Sequence, residues 1–354
     1  MATKHLAAIL PQKGGPLTIA ERTTPDPGPE EVLVQVKAIA LNPIDVYQRD
    51  LGFPPIAAYP TVIGWDTAGI VVKLGSDVAS SIGGRVNLTV GTRVTAIGTT
   101  YYENNSADHG AFQEFFLAKA EGVTPLPENI SFEEGAVFPA AVITAMTAWH
   151  TLGVSPSNVL RGDKEEEEAI LIWGGASSVG SLLIQSARTL GFRVYATASA
   201  HNHEYLLNTL GAHAVFDYKS EDVVKGIIAA ARKDGVVLNK AHIAAGDGLQ
   251  AALDVLRETK GDGSAKVAHA PLLPEGHPTL KNTEITFVAP LVDEKERRER
   301  MREAFHGWLY EGLKSGGVVP SPRVKVEGGG LEGLNAALDK LKGGVSCAKI
   351  VVPI

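Results

Sequence analysis

The sequence predicts an α/β protein in two parts, a β-rich domain and a domain built on a doubly wound parallel sheet. Three observations carry this. The first third of the chain is a run of short strand-like segments between turns. From residue 169 onward strand and helix patterns alternate, as crossover helices on a parallel sheet require. The first strand of that alternation runs directly into a turn of small residues that opens a helix. A length of 354 residues exceeds one ordinary core and suits two domains.

The elements follow in order. Lys4–Pro11, Leu17–Arg22 and Glu31–Ala40 are short, rich in apolar or β-branched residues, and separated by Gly14-Gly15 and by Thr24-Pro25-Asp26-Pro27-Gly28-Pro29. Thr61–Ile63, Gly69–Leu74, Thr92–Ile97 and Gly110–Leu117 are further strands. Ser131-Phe132-Glu133-Glu134 has the form of a helix start, and Ala136–Leu152 reads as a buried helix bounded by Gly153. Ser155–Glu168 is a polar link whose acidic run Glu165–Glu168 is expected to be solvated. Strands at Ala169–Trp173, Arg193–Ala198, Ala214–Asp217, Ala241–Ala245, Lys266–Leu273 and Glu284–Val288 follow. Between them lie helices at Val179–Leu190, Glu204–Leu210, Asp222–Arg232 and Gly248–Thr259. Glu294–Leu313 is one long amphipathic helix, and Arg323–Val326, Leu331–Leu341 and Ala348–Val352 suggest a return to the β-rich domain. The domain boundaries this implies are 1–137, 138–314 and a returning segment 315–354.

Composition removes several classes of function. With 44% hydrophobic and 21% charged residues, the chain has the make-up of a soluble globular protein. A formal charge of -7 gives no basic footprint for nucleic acid or for an anionic membrane. A single cysteine, Cys347, cannot form an internal disulfide and excludes a four-cysteine zinc lobe. No stretch has the character of a signal peptide or a membrane span, so a cytoplasmic location is expected.

The strongest local signal is Ile170-Leu171-Ile172-Trp173-Gly174-Gly175-Ala176-Ser177-Ser178-Val179-Gly180. Small residues let the backbone approach a pyrophosphate, and the helix start offers free N–H groups and a positive dipole end. The fingerprint reads Gly175-x-Ser177-x-x-Gly180, with Ser at its middle position. The second strand selects the cofactor. An NAD site wants a carboxylate at its end, but here Ser199, His201 and Asn202 follow Ala198 and no acid appears before Glu204. These groups, with Tyr218 after the third strand, suit a 2′-phosphate and point to NADPH. A carboxylate at Gly175 or Gly180 is expected to abolish cofactor binding while the fold survives.

With these residues in view, the chain resembles the medium-chain dehydrogenase/reductase superfamily over nearly its whole length. Asn42-Pro43-Ile44-Asp45-Val46-Tyr47 is similar to the Asn-x-x-Asp-x-Tyr segment of quinone oxidoreductases. Pro60-Thr61-Val62-Ile63-Gly64-Trp65-Asp66-Thr67-Ala68-Gly69 matches their Pro-x-x-x-Gly-x-Asp-x-x-Gly stretch. Ser199 to Asn202, Phe216-Asp217-Tyr218 and the closing Gly343-Gly344-Val345-Ser346 with Lys349 look like fungal ToxD-type reductases, a group that includes trans-acting enoyl reductases serving polyketide synthases. The resemblance implies a GroES-like first domain and a Rossmann-type second one, with Tyr47 as proton donor or carbonyl partner, Asn42 as an orienting group and Thr144 near the nicotinamide. Zinc members carry an early Cys and a His-Glu pair; here Trp65-Asp66 stands in place of the pair, so no metal is expected. His109 and Asp66 are read as structural. The implied chemistry is hydride transfer from NADPH to an activated C=C of an enoyl or enone. Two alternatives are an NADPH:quinone oxidoreductase and a non-catalytic NADPH-binding protein. The implied partners are a small-molecule enone, enoyl or quinone and a polyketide synthase, with the chain a monomer or homodimer.

Overall fold

A computed structural model describes residues 3–155 and 168–354. The polar link expected at Ser155–Glu168 lies outside the described residues apart from its two ends. The chain forms two compact units, one of residues 1–140 and 305–354 and the other of residues 141–304.

The first unit opens with β1 (Lys4–Leu10), β2 (Thr18–Thr23) and β3 (Glu31–Ala40). Next come α1 (Pro43–Leu51), β4 (Thr61–Val62), β5 (Asp66–Leu74), α2 (Val78–Ser81), β6 (Arg93–Ile97), β7 (Phe115–Lys119), β8 (Val123–Pro125) and α3 (Phe132–Gly135), followed by α4 (Pro139–Thr151), which belongs to the second unit from Ala141 onward. The second unit carries β9 (Glu168–Trp173), α5 (Ser178–Thr189), β10 (Phe192–Thr197), β11 (Ala214–Phe216), α6 (Val223–Lys233) and β12 (Leu238–Ile243). It continues through α7 (Leu249–Thr259), β13 (Ala265–His269), β14 (Thr283–Phe287) and α8 (Glu294–Met301). Then α9 (Tyr310–Ser315), β15 (Arg323–Val326), α10 (Gly330–Lys342) and β16 (Ala348–Pro353) complete the first unit.

The second unit is the doubly wound sheet that the alternation predicts. Its strands run in the order β11-β10-β9-β12-β13-β14, and every pairing is parallel. The order reverses between β9 and β12, so ligands are expected at the carboxyl ends of these strands. The strands are apolar on both faces, as β9 shows: after Glu168 every residue to Trp173 is buried. In the first unit, β15-β16-β3-β5-β6-β8 form one sheet, with β7 also paired to β3, and β2-β1-β4 form another. The carboxyl end of β3 is held on both sides, Ala40 standing opposite Asp66 of β5 and Val351 of β16. This register places the ends of three strands together just before α1.

The short α2 and β8 have no counterpart among the expected elements, the strand expected at Gly110–Leu117 runs over Phe115–Lys119, and three further elements depart from the sequence expectations. Helix α1 was not anticipated, although its punctuation is orthodox: Asn42 precedes it, Pro43 is its first residue, and Gly52 closes it in the left-handed conformation at φ 62°. Glu204–Leu210, expected as an α-helix, contains a π-helical stretch at Tyr205–Leu210. The single helix expected over Glu294–Leu313 changes hydrogen-bonding pattern within its length, α8 giving way to a π-helical stretch at Arg302–Leu309 and then to α9. Met301, Ala304, Phe305, Trp308 and Leu309 are buried at ordinary helical spacing, so periodicity does not distinguish the two patterns. The structure supplies a reason for the change: the Thr124 hydroxyl donates to the Phe305 carbonyl at 2.8 Å, drawing it out of the helical ladder.

Candidate active site

The turn after β9 is built from contacts that need small residues. Gly174 sits at φ 82°, where only glycine is unstrained. Its N–H donates to the Thr197 hydroxyl at 3.0 Å and the next N–H, of Gly175, donates to the Thr197 carbonyl at 2.8 Å, so β10 holds the turn. Ser177 caps α5: its Oγ donates to the Gly174 carbonyl at 2.8 Å and accepts from the Gly180 N–H at 3.1 Å. The Ser in the fingerprint therefore takes up one donor of the helix start. Ser178 and Val179, the first two helical residues, precede any acceptor in their own helix, and their N–H groups are the ones left for an anion.

The two fingerprint glycines serve packing. A Cβ on Gly180 would stand 2.3 Å from the Gly174 carbonyl oxygen, and one on Gly175 would meet Leu206, Ala196 and Ile184 at 3.0–3.1 Å. Both point into the protein. This corrects the expectation that a carboxylate at either position would meet the phosphate in an intact fold; the side chain would disrupt the turn first.

The second-strand residues come together at the same end of the sheet. The Ser199 hydroxyl donates to the Tyr218 oxygen at 3.2 Å, joining the loops after β10 and β11. His201 is exposed on the short turn Ala200–Asn202, and Asn202 beside it is buried. Sequence reasoning missed Lys219. Its ammonium lies 5.8 Å from the centre of the Tyr218 ring, on the exposed side of this loop pair. The signal was a cation directly after Tyr218. The nearby Asp217 carboxylate is turned back on its own loop, accepting from the Lys219 N–H at 2.9 Å. NADPH is accordingly expected to bind at least about tenfold more tightly than NADH, equivalent to roughly 1.4 kcal/mol, and Lys219→Ala to narrow that ratio. Fluorescence titration of both cofactors checks this, and equal affinities would contradict it.

In the first unit, Tyr47 and Asn42 belong to one element. Val46 of α1 enters the core, while Tyr47 is 43% exposed and its hydroxyl has no hydrogen-bond partner among the described residues. It is not a buried core tyrosine. Asn42 is buried and its amide is committed: Nδ2 donates to Asp66 Oδ2 at 2.9 Å and Oδ1 accepts from Lys349 Nζ at 2.5 Å. Asp66 is fully buried, paired with Lys349 at 2.9 Å and accepting the Ala140 N–H at 2.6 Å. Neither Asp66 nor Lys349 had been read from the sequence as members of one cluster, because 283 residues, 349 minus 66, separate them.

Asp45 completes the cluster. One of its oxygens accepts the Asn42 N–H at 2.7 Å; the other is buried without a partner. Burial, helped by the Asp66 charge, pushes its carboxyl up to about 8. The folded protein then keeps this proton where the unfolded chain, titrating near 4, has lost it. Stability from this group is full in acid, falls as pH rises through that interval, and levels off above about 8. Asp45→Asn is expected to flatten the slope and to stabilise the protein by at least about 1 kcal/mol near the alkaline end. Urea unfolding at several pH values checks this; parallel curves for wild type and variant would contradict it.

Thr144 lies in the middle of α4, half-buried, within the second unit. Among the described residues, two places have side chains at which a metal could be sought, and the carboxylates of both are already engaged. The Asp66 carboxylate already carries an ammonium and two N–H donors, and the Trp65 indole donates to Gln48 at 3.1 Å. Glu31, Glu103 and His109 have ligand spacing, but Lys119 stands between the two acids at 2.9 and 3.3 Å. His109 Nε2 lies 2.9 Å from Glu31, and that hydrogen bond, with those from Lys119 and the Gly28 N–H, holds the Glu31 carboxyl down at about 2. The other ring nitrogen of His109, Nδ1, is buried without a hydrogen-bond partner among the described residues.

Among the described residues no helix is long and apolar enough to cross a membrane. The sequence matches the alcohol dehydrogenase GroES-like domain over residues 28–128 and the zinc-binding dehydrogenase domain over residues 178–263. It is 56% identical to trans-enoyl reductase tndF of Aspergillus flavipes over 354 residues, covering 100% of both chains. Among solved structures, the quinone oxidoreductase from Coxiella burnetii aligns at a TM-score of 0.70 with 24% identity, over 99% of this chain and 100% of that one. The mycobacterial protein Rv1454c, solved in complex with NADPH, aligns at 0.72 with 23% identity, over 99% of this chain and 100% of that one.

Proposed function

This chain belongs to the medium-chain dehydrogenase/reductase family, as an oxidoreductase related to the fungal trans-enoyl reductases, and we propose that it is a zinc-independent, NADPH-dependent enoyl reductase. The observation that carries the reading is Tyr47: an exposed tyrosine whose hydroxyl has no partner among the described residues, on a helix whose start is pinned by a buried ion pair. The similarity to the trans-enoyl reductase of Aspergillus flavipes supports it. NADPH, when bound, supplies a hydride to the β-carbon of a conjugated thioester.

The protein's own residues divide the remaining work. The N–H groups of Ser178 and Val179 bind the pyrophosphate, in a turn kept tight by Gly175, Ser177 and Gly180. Ser199, His201, Asn202, Tyr218 and Lys219 would receive the 2′-phosphate, with the Asp217 carboxylate held by the Lys219 N–H. Thr144, half-buried in the middle of α4, would lie near the nicotinamide if the family resemblance carries over. Tyr47 donates a hydrogen bond to the thioester oxygen as negative charge grows there, or passes its proton to the α-carbon. Asn42 acts from behind, fixing α1 and not touching substrate. The enoyl group is presented by a polyketide synthase in the cytoplasm.

The test is NADPH consumption with an enoyl thioester, an alkenal and a naphthoquinone in parallel, each with and without a chelator. The enoyl thioester is expected to be reduced to the saturated acyl product at a chelator-independent rate. Consumption with the naphthoquinone alone would replace this reading with quinone reduction.

A further inference from the structure

The buried cluster behind α1 is more elaborate than stability requires. Lys349 is 3% exposed and Asp66 fully buried. Removing two charges from water costs much of what their attraction returns, and a well-packed apolar pair would serve the fold as well or better. The pair is also not isolated. The amide of Asn42 is clamped between its members, donating to Asp66 and accepting from Lys349. Such a clamp fixes which way the amide faces and where the residue before α1 sits. The sheet register brings the groups together: Lys349 lies on β16, Asp66 begins β5, and Asn42 follows β3, which runs between those two strands. Tyr47 lies five residues beyond Asn42, roughly 7.5 Å along the helix axis at 1.5 Å per residue.

We propose that Lys349 is a positioning residue for the reaction, holding the Asn42–Asp66 clamp so that α1 presents the Tyr47 hydroxyl at one fixed place. The inference rests on the reading of Tyr47 given above. Lys349 touches no substrate; it acts through the start of the helix. A loose helix start would leave Tyr47 in the right neighbourhood but seldom at the right distance, and misplacement of about 1 Å can cost a hundredfold in rate. The loss therefore falls on turnover and spares cofactor affinity.

The test is a set of variants assayed on the full chain with an enoyl thioester and NADPH: Lys349→Met, Lys349→Arg and the double variant Asp66→Asn/Lys349→Met, each with Tyr47 intact and with Tyr47→Phe. Lys349→Met is expected to lower kcat by roughly tenfold or more, with the KM for NADPH within about twofold of wild type. Lys349→Arg restores most of the rate. In the Tyr47→Phe background the Lys349→Met loss shrinks to about twofold or less, because both changes remove one contribution. Should Lys349→Met fail to fold, the double variant removes both charges and leaves no lone buried ion, and its kcat is expected to stay low. A folded Lys349→Met or double variant with wild-type kcat overturns the proposal, as do losses that multiply with Tyr47→Phe. Either result with a slow Tyr47→Phe defeats this inference alone; a wild-type rate in Tyr47→Phe defeats the reading beneath it.

Discussion

Tyr47→Phe is expected to slow enoyl reduction by roughly tenfold to a thousandfold, the span between a helpful hydrogen bond and a general acid. NADPH affinity should be unchanged, because Tyr47 belongs to the first unit and the dinucleotide turn to the second. The substitution removes one oxygen and leaves the helix alone: the anchors of α1 are Val46 in the core, the Asn42 clamp and the Arg49 pairs to Asp50 and Asp339, at 2.7 and 2.6 Å. With 43% of the residue exposed and no partner on its hydroxyl among the described residues, no buried hydrogen bond is lost there, and thermal stability should hold. Steady-state kinetics with an enoyl thioester and with a naphthoquinone check the prediction. A quinone needs no proton delivered to carbon, so the loss should be confined to the enoyl substrate. Unchanged kcat in Tyr47→Phe would make water the proton source.

The second large effect is expected at Gly180. In Gly180→Ala the new methyl would stand 2.3 Å from the Gly174 carbonyl oxygen and 2.9 Å from the Gly175 Cα, both backbone atoms. Backbone cannot rotate away as a side chain can, so the turn and the start of α5 must separate. NADPH affinity should fall by at least about a hundredfold, roughly 2.7 kcal/mol, together with a lower Tm. Gly175→Ala should be milder, since its contacts of 3.0–3.1 Å are to the side chains of Leu206, Ala196 and Ile184. Titration with NADPH and thermal unfolding of the two variants check the order. Gly180→Ala with wild-type affinity would place the cofactor elsewhere.

What the sequence made legible follows from what local patterns encode. The parallel sheet was visible because a strand buried on both faces, such as Ile170–Trp173, followed by a small-residue turn is a local signal. The α1 helix was missed although Asn42, Pro43 and Gly52 mark both its ends. At 9 residues α1 is too short for its apolar spacing to establish a helical period on its own. The π-helical stretch at Arg302–Leu309 left no trace in apolar spacing, because the hydroxyl that bonds its Phe305 carbonyl comes from Thr124, distant in sequence. The site divided in the same way. Gly175, Ser177, Ser199 and Tyr218 lie within one stretch of alternating strands and could be read together. The Asn42–Asp66–Lys349 clamp could not, since sheet register brings its members together and register is not written in any one segment. The committed amide of Asn42 has most bearing on mechanism, because both of its polar atoms are already taken by Asp66 and Lys349.

The measurement closest to the central claim follows the hydride itself. An enoyl thioester is incubated with the protein and NADPH deuterated at the transferring position of C4, with and without a chelator, and the product is analysed by mass spectrometry and NMR. The account predicts a saturated acyl thioester with one deuterium at the β-carbon, formed at the same rate in both conditions. Recovery of unreduced enoyl thioester beside a naphthoquinone control that is readily reduced, or deuterium transfer that stops when the chelator is added, would contradict it.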